Sequence, residues 1–138
     1  MGIVLDSSAL IAAERSGQSV SKLLVTFAAE YPETQFLISS MTVMELEYGW
    51  HRASTPGVAV KRRRYLDEIF AIIPVEPFTR ELGILAAKID ADAKAAGRAI
   101  ATADLLIGVT ALYYRYAVLT HNVRHFRMIP GLMVITAK

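Results

Sequence analysis

Gly2-Ile3-Val4-Leu5-Asp6-Ser7-Ser8-Ala9-Leu10 is the stretch that decides the fold. A short apolar run breaks on a carboxylate, two hydroxyl residues follow, and apolar residues resume with Ala9, Leu10 and Ile11. The run before Asp6 has the length and composition of a buried strand, and the residues after it recover at helical spacing. A strand passing directly into a helix is the opening unit of a parallel α/β sheet. The carboxylate at the junction needs a reason, because an unpaired ionised carboxylate in a low-dielectric interior costs several kcal/mol. Something must hold Asp6.

The same alternation continues along the chain. Short apolar runs at Ile3 to Leu5, Phe36 to Ser39, Ile72 to Val75, Val118 to Thr120 and Met133 to Ile135 are expected to be strands. Between them, Ser8 to Arg15, Val20 to Glu30, Thr42 to Ala53, Val60 to Phe70, Thr79 to Ala96 and Ala103 to Tyr114 carry apolar residues at i, i+3, i+4 spacing and are expected to be helices. The expected architecture is α/β, a central, mostly parallel sheet of about five short strands flanked by helices. At 138 residues the chain is expected to be one domain, 1–138.

Composition excludes several chemistries. There are no cysteines, which removes disulfides, zinc–thiolate sites and a thiol nucleophile, so a metal would have to sit on oxygen or histidine. No apolar stretch reaches the length of a membrane span, and Asp6 interrupts the first run too early for a signal peptide, so a cytoplasmic location with no membrane partner is expected. Walker-type glycine loops, GxSxG and HExxH are absent. The hydrophobic fraction, 54%, is high for a soluble chain of this length and predicts apolar surface meant for partners.

Three acids stand in matching situations. Asp6 follows the first strand, Glu45 lies in the first turns of the helix after the second, and Asp104 opens a strongly apolar helix, where the helix dipole favours a carboxylate. Singly, each has an ordinary reading as a helix-start acid or a solvated position. Together, on one side of the sheet, they would repel one another unless a cation neutralised them. Oxygen ligands with room for waters suit Mg²⁺, or alternatively Mn²⁺, and such a metal is the equipment for phosphoryl chemistry.

With these residues the chain resembles the PIN-domain ribonucleases, and among them the VapC toxins of toxin–antitoxin pairs. The resemblance rests on Val4 to Leu10, on Ile38 to Leu46 with Gly49, on Ala103 to Ile107, and on Val118 to Asn122 with Phe126 and Pro130-Gly131-Leu132. It implies a Mg²⁺-dependent endoribonuclease in which Asp6, Glu45 and Asp104 bind the metal, Asn122 fills a variable fourth position of the catalytic set, and Ser8 supports the acids. His125 departs from the acid common at its position and adds a phosphate contact. The implied partners are an RNA substrate, a cognate antitoxin and a second copy in a homodimer. Two other readings stay open: an RNA-processing PIN nuclease without an antitoxin, and a catalytically decayed RNA- or antitoxin-binding module.

Formal net charge is only +2, so RNA contacts would have to come from local clusters. The candidates are Ser8 beside the acids, Arg62, Arg63 and Arg64, in a basic tetrad with Lys61, and Arg124, His125 and Arg127, with a solvated helix face as the ordinary alternative for the basic residues. Glu47, Asp90 and Asp92 match no catalytic position. Trp50, Tyr113, Tyr114 and Tyr116 are expected in core or interface. An apolar groove near the helices Val20 to Glu30 and Thr42 to Ala53 is the expected seat for a partner helix.

Overall fold

The computed structural model describes residues 1–137. Its strands are β1 (Gly2–Leu5), β2 (Gln35–Ser39), β3 (Val75–Glu76), β4 (Ala117–Thr120) and β5 (Met133–Thr136). Its helices are α1 (Ser7–Arg15), α2 (Val20–Glu30), α3 (Ser40–His51), α4 (Pro56–Ile72), α5 (Arg80–Ala95), α6 (Thr102–Tyr113) and the single-turn α7 (Val123–Phe126). The sheet runs β3-β2-β1-β4-β5, and every pairing is parallel.

β1 is central, which explains its unbroken apolar run: a strand covered on both faces has no solvent side on which to place polar residues. Side chains alternate across it. Ile3 and Leu5 face a core built with α1, α2, α4 and Leu46 of α3, while Val4 faces a second core built with α5, α6 and α7. Leu119 and Val118 of β4 divide between the same two cores.

The path leaves β1 toward β2 and β3 on one side, then returns to β4 and leaves toward β5 on the other. The reversal between β1 and β4 is the topological switch point, and in an open parallel sheet the crevice for a ligand lies beyond the carboxyl ends of the strands there. Asp6 follows β1 and His121 follows β4 at this place.

Three local expectations are corrected. Residues 72 and 73 do not begin a strand: Ile72 ends α4, the Ile73 N–H donates to the Ile69 carbonyl, and Pro74 stops the helix, leaving a two-residue edge strand at Val75–Glu76. α4 starts at Pro56, four residues before the expected Val60, because Thr55 caps it by accepting from the Val58 N–H and proline suits the first turn. α7 falls in a stretch for which no element was expected. Among the described residues no helix is long and apolar enough to cross a membrane.

Candidate functional site

Asp6 is the N-cap residue of α1, yet its side chain makes no capping bond, so the ordinary reading of a helix-start acid does not account for it. It is only 2% exposed. What holds it is a pair of hydroxyls: Ser8 Oγ donates to Asp6 Oδ2 at 2.7 Å and Thr120 Oγ1 donates to the same oxygen at 2.8 Å. Each hydroxyl is in turn fixed by a main-chain donor of the turn after β4. The His121 N–H donates to Ser8 Oγ at 3.1 Å and the Asn122 N–H to Thr120 Oγ1 at 2.8 Å. With its one proton given to Asp6 and a lone pair taken by an amide, neither hydroxyl is free to rotate. The Asp6 main chain is tied to the same strand, its N–H donating to the Leu119 carbonyl at 3.0 Å.

Glu45 and Asp104 approach from helices. α3 is capped by Ser39, which accepts from the Met41 N–H. Ser7 Oγ donates to Glu45 Oε1 at 3.0 Å, so the two hydroxyls after Asp6 serve two different acids. Burial pushes the Glu45 carboxyl above its ordinary value; the charges of Asp6 and Asp104 push it further, and only the Ser7 bond opposes them. The Asp104 carboxyl is raised as well, first by burial and then by the charge of Asp6, against the nearby His125. His125 Nδ1 lies 3.2 Å from Asp104 Oδ2.

The structure therefore brings Asp6, Glu45 and Asp104 within electrostatic reach of one another. As they stand, no three of the described His, Asp or Glu side chains converge tightly enough to enclose an ion. The donor set nonetheless has the chemistry of a hard-cation site: mutually repelling carboxylates, two of which are raised by burial and by their acidic neighbours. The described buried polar side-chain atom left without a partner, Thr42 Oγ1, lies one helical turn before Glu45 on α3.

The other sequence candidates divide. Ser8 sits at the centre of the site. Asn122 is exposed and contributes its main-chain N–H, while its side chain makes no hydrogen bond to a described residue. Arg62 and Arg63 do not present free guanidinium groups. Arg62 binds Glu14 Oε1 at 3.2 Å and the Gly49 carbonyl at 3.2 Å, joining α4 to α1 and α3. Arg63 binds Glu47 at 2.7 Å and Asp67 at 3.0 Å and lies over the Trp50 ring. Arg64, Arg124 and Arg127 are exposed and pair with no described residue. Asp90 and Asp92 form surface pairs with Lys94 and Lys88. Trp50 donates to the Ala59 carbonyl in the first turn of α4.

Thr120 is the site residue that sequence reasoning missed. Its signal was a hydroxyl on the last residue of a strand beside the first, a place where an apolar residue would otherwise be expected. Two cavities adjoin α1, and neither joins α2 to α3 as the expected groove would. One cavity, of about 230 Å³, lies between α1 and α2 and includes Leu23, Phe27 and Tyr31; the other, of about 150 Å³, lies between α1, α3 and α4 and includes Leu10, Leu46 and Tyr65.

The sequence matches the PIN domain family over residues 3–131. It is 31% identical over 136 residues to Ribonuclease VapC1 of Rickettsia felis, spanning 99% of this chain and 96% of the relative. It is 29% identical over the same length to Ribonuclease VapC of Rickettsia bellii, with the same coverage. Among solved structures, a chain of VapBC2 from Rickettsia felis, bound to a DNA fragment from their promoter, superposes with a TM-score of 0.85 over the whole of both chains at 20% identity. At that identity the likeness is one of fold.

Proposed function

This chain belongs to the PIN domain family and to its VapC ribonucleases, and from that premise we propose that it is the ribonuclease toxin of a type II toxin–antitoxin pair, cleaving RNA endonucleolytically with a divalent metal. The observation that carries the metal reading is the trio of carboxylates at the switch point, in which burial and the neighbouring negative charges raise both Glu45 and Asp104. Asp6, Glu45 and Asp104 would hold the ion, Mg²⁺ or Mn²⁺. Bound there, it supplies an activated water for attack on the phosphodiester and a counter-charge for the phosphate oxygens.

The remaining work falls to the chain itself. Ser8 and Thr120 fix Asp6 in one orientation, so that one acid need not reorganise when substrate arrives. Ser7 orients Glu45. Arg64, Arg124 and Arg127, all exposed, are the candidates to hold the RNA backbone, contacts that set position without reading sequence. The exposed apolar side chains, Val25, Met44, Tyr48, Val60 and Ile84 among them, support two covered surfaces, one for the cognate antitoxin and one for a second copy. An RNA substrate supports a cytoplasmic location for the protein.

The test is cleavage of a structured RNA by the purified protein. Activity is expected with Mg²⁺ or Mn²⁺, lost in excess EDTA, and reduced by a factor of about 10² or more in Asp104→Asn with the fold retained. Undiminished cleavage in EDTA overturns the metal reading. A neighbouring gene product that binds the protein without suppressing cleavage overturns the antitoxin reading.

A further inference from the structure

Gly108 lies one helical turn after Asp104 on the same face of α6. A Cβ there would be driven into Ile129 Cδ1 and would stand 3.4 Å from Phe126 Cδ1. The missing side chain lets the segment after β4 lie directly on α6, with Phe126 and Ile129 buried against it. Once Phe126 is seated, the residue before it is carried to the start of α6. This is how His125 comes to place Nδ1 3.2 Å from Asp104 Oδ2. Its side chain is 47% exposed and that of Asp104 14%, so the imidazole lies on the open side of the carboxylate.

A separation of 3.2 Å is a hydrogen-bond distance, and it is also the spacing of two neighbouring ligands on one metal. Donors at right angles about an octahedral ion, each at about 2.1 Å, are about 3.0 Å apart. In separation the two arrangements differ by tenths of an ångström; in direction the imidazole must turn so that the Nδ1 lone pair points at the ion and not at Oδ2. We infer that His125 supplies a nitrogen ligand to the divalent ion held at Asp104, and so turns the site's preference toward Mn²⁺ over Mg²⁺. The inference rests on the reading that Asp6, Glu45 and Asp104 hold that ion.

Coordination uses the Nδ1 lone pair of the neutral ring. A proton shared between Nδ1 and Asp104 passes to solvent, and Nε2 keeps its own N–H. Imidazole nitrogen binds later first-row ions more tightly than Mg²⁺, which prefers oxygen and gives up its waters reluctantly. A mere hydrogen-bonding partner of Asp104 would behave differently: it would orient the carboxylate and help every divalent ion to a similar degree.

The experiment measures binding rather than cleavage. The full chain and its His125→Ala and His125→Gln variants are titrated calorimetrically with MnCl₂ and, separately, MgCl₂. Pulsed electron paramagnetic resonance of the Mn²⁺ forms then reports directly bound imidazole nitrogen. Both variants should weaken Mn²⁺ about tenfold or more while changing Mg²⁺ by less than about twofold, and the nitrogen coupling of the unmodified protein should vanish. Parallel loss of both metals overturns the inference, since it assigns His125 to orienting Asp104. Unchanged Mn²⁺ affinity, or no nitrogen coupling in the unmodified protein, also overturns it. Mn²⁺ binding that survives an Asp6→Asn, Asp104→Asn double substitution removes the three-acid reading itself, a result separable from failure at His125 alone.

Discussion

The two sides of the site are built on opposite terms. On the strand side, Asp6 is buried, fixed by two hydroxyls and backed by two main-chain amides. On the helix side, Glu45 and Asp104 each have one side-chain hydrogen-bond partner among the described residues and carry raised carboxyls. The first is a preorganised fixture; the second is held under electrostatic tension. The same division marks the basic tetrad, where Arg62 and Arg63 lock helices together and Arg64 stands free among the described residues.

Breaking the strand side should have the largest effect on stability. Thr120→Val removes one donor to Asp6 and leaves the Asn122 N–H without its acceptor, and should cost about 1–3 kcal/mol in denaturant unfolding together with tenfold or more in cleavage rate. Thr120→Ser keeps the hydroxyl and should restore most of both. Near-normal activity in the valine variant would mean that Asp6 needs no fixing. Next is the helix tie. Arg62→Ala separates α4 from Glu14 and the Gly49 carbonyl and should lower stability by about 1–2 kcal/mol, with RNA affinity at high salt nearly unchanged.

The helix side responds in the opposite sense. Because the folded values of Glu45 and Asp104 lie above their ordinary ones, their contribution to the metal-free fold is fully present below the ordinary carboxylate range, near pH 4. It is lost as pH rises through the raised values. Glu45→Gln should therefore raise the melting temperature of the metal-free protein at pH 7 and shrink that gain at pH 4, while abolishing cleavage. A lower melting temperature at pH 7 would show that the tension does not exist. The smallest change is Arg64→Ala, which should leave stability alone and reduce the salt slope of RNA binding by about 0.7, the value for one single-strand phosphate contact.

How much of this could be read from residues follows the same line. β1 and its acid were legible because a buried strand and a helix start are local patterns. The three carboxylates could be gathered because strand ends and helix starts share one edge in a parallel sheet. Thr120 and the Arg62 tie were not legible, since a hydroxyl or guanidinium does not announce which partner it meets 114 or 48 residues away. The strand expected at Ile72 to Val75 failed for a related reason: Ile69, Ile72 and Ile73 suit either a helix or a strand, and the stop at Pro74 decided between them.

The bond between Thr120 and Asp6 joins residue 6 to residue 120. Synthesis proceeds from the amino end, so the acid is made 114 residues before the hydroxyl that supports it. A nascent chain that has completed α1 through α6 holds all three carboxylates, but β1 lacks β4 beside it and Asp6 lacks half of its support. Closing so long a loop is also slow relative to local helix formation. The support of Asp6 is thus timed by the topology: its Thr120 half is missing until residues 117–120 have been made and docked beside β1.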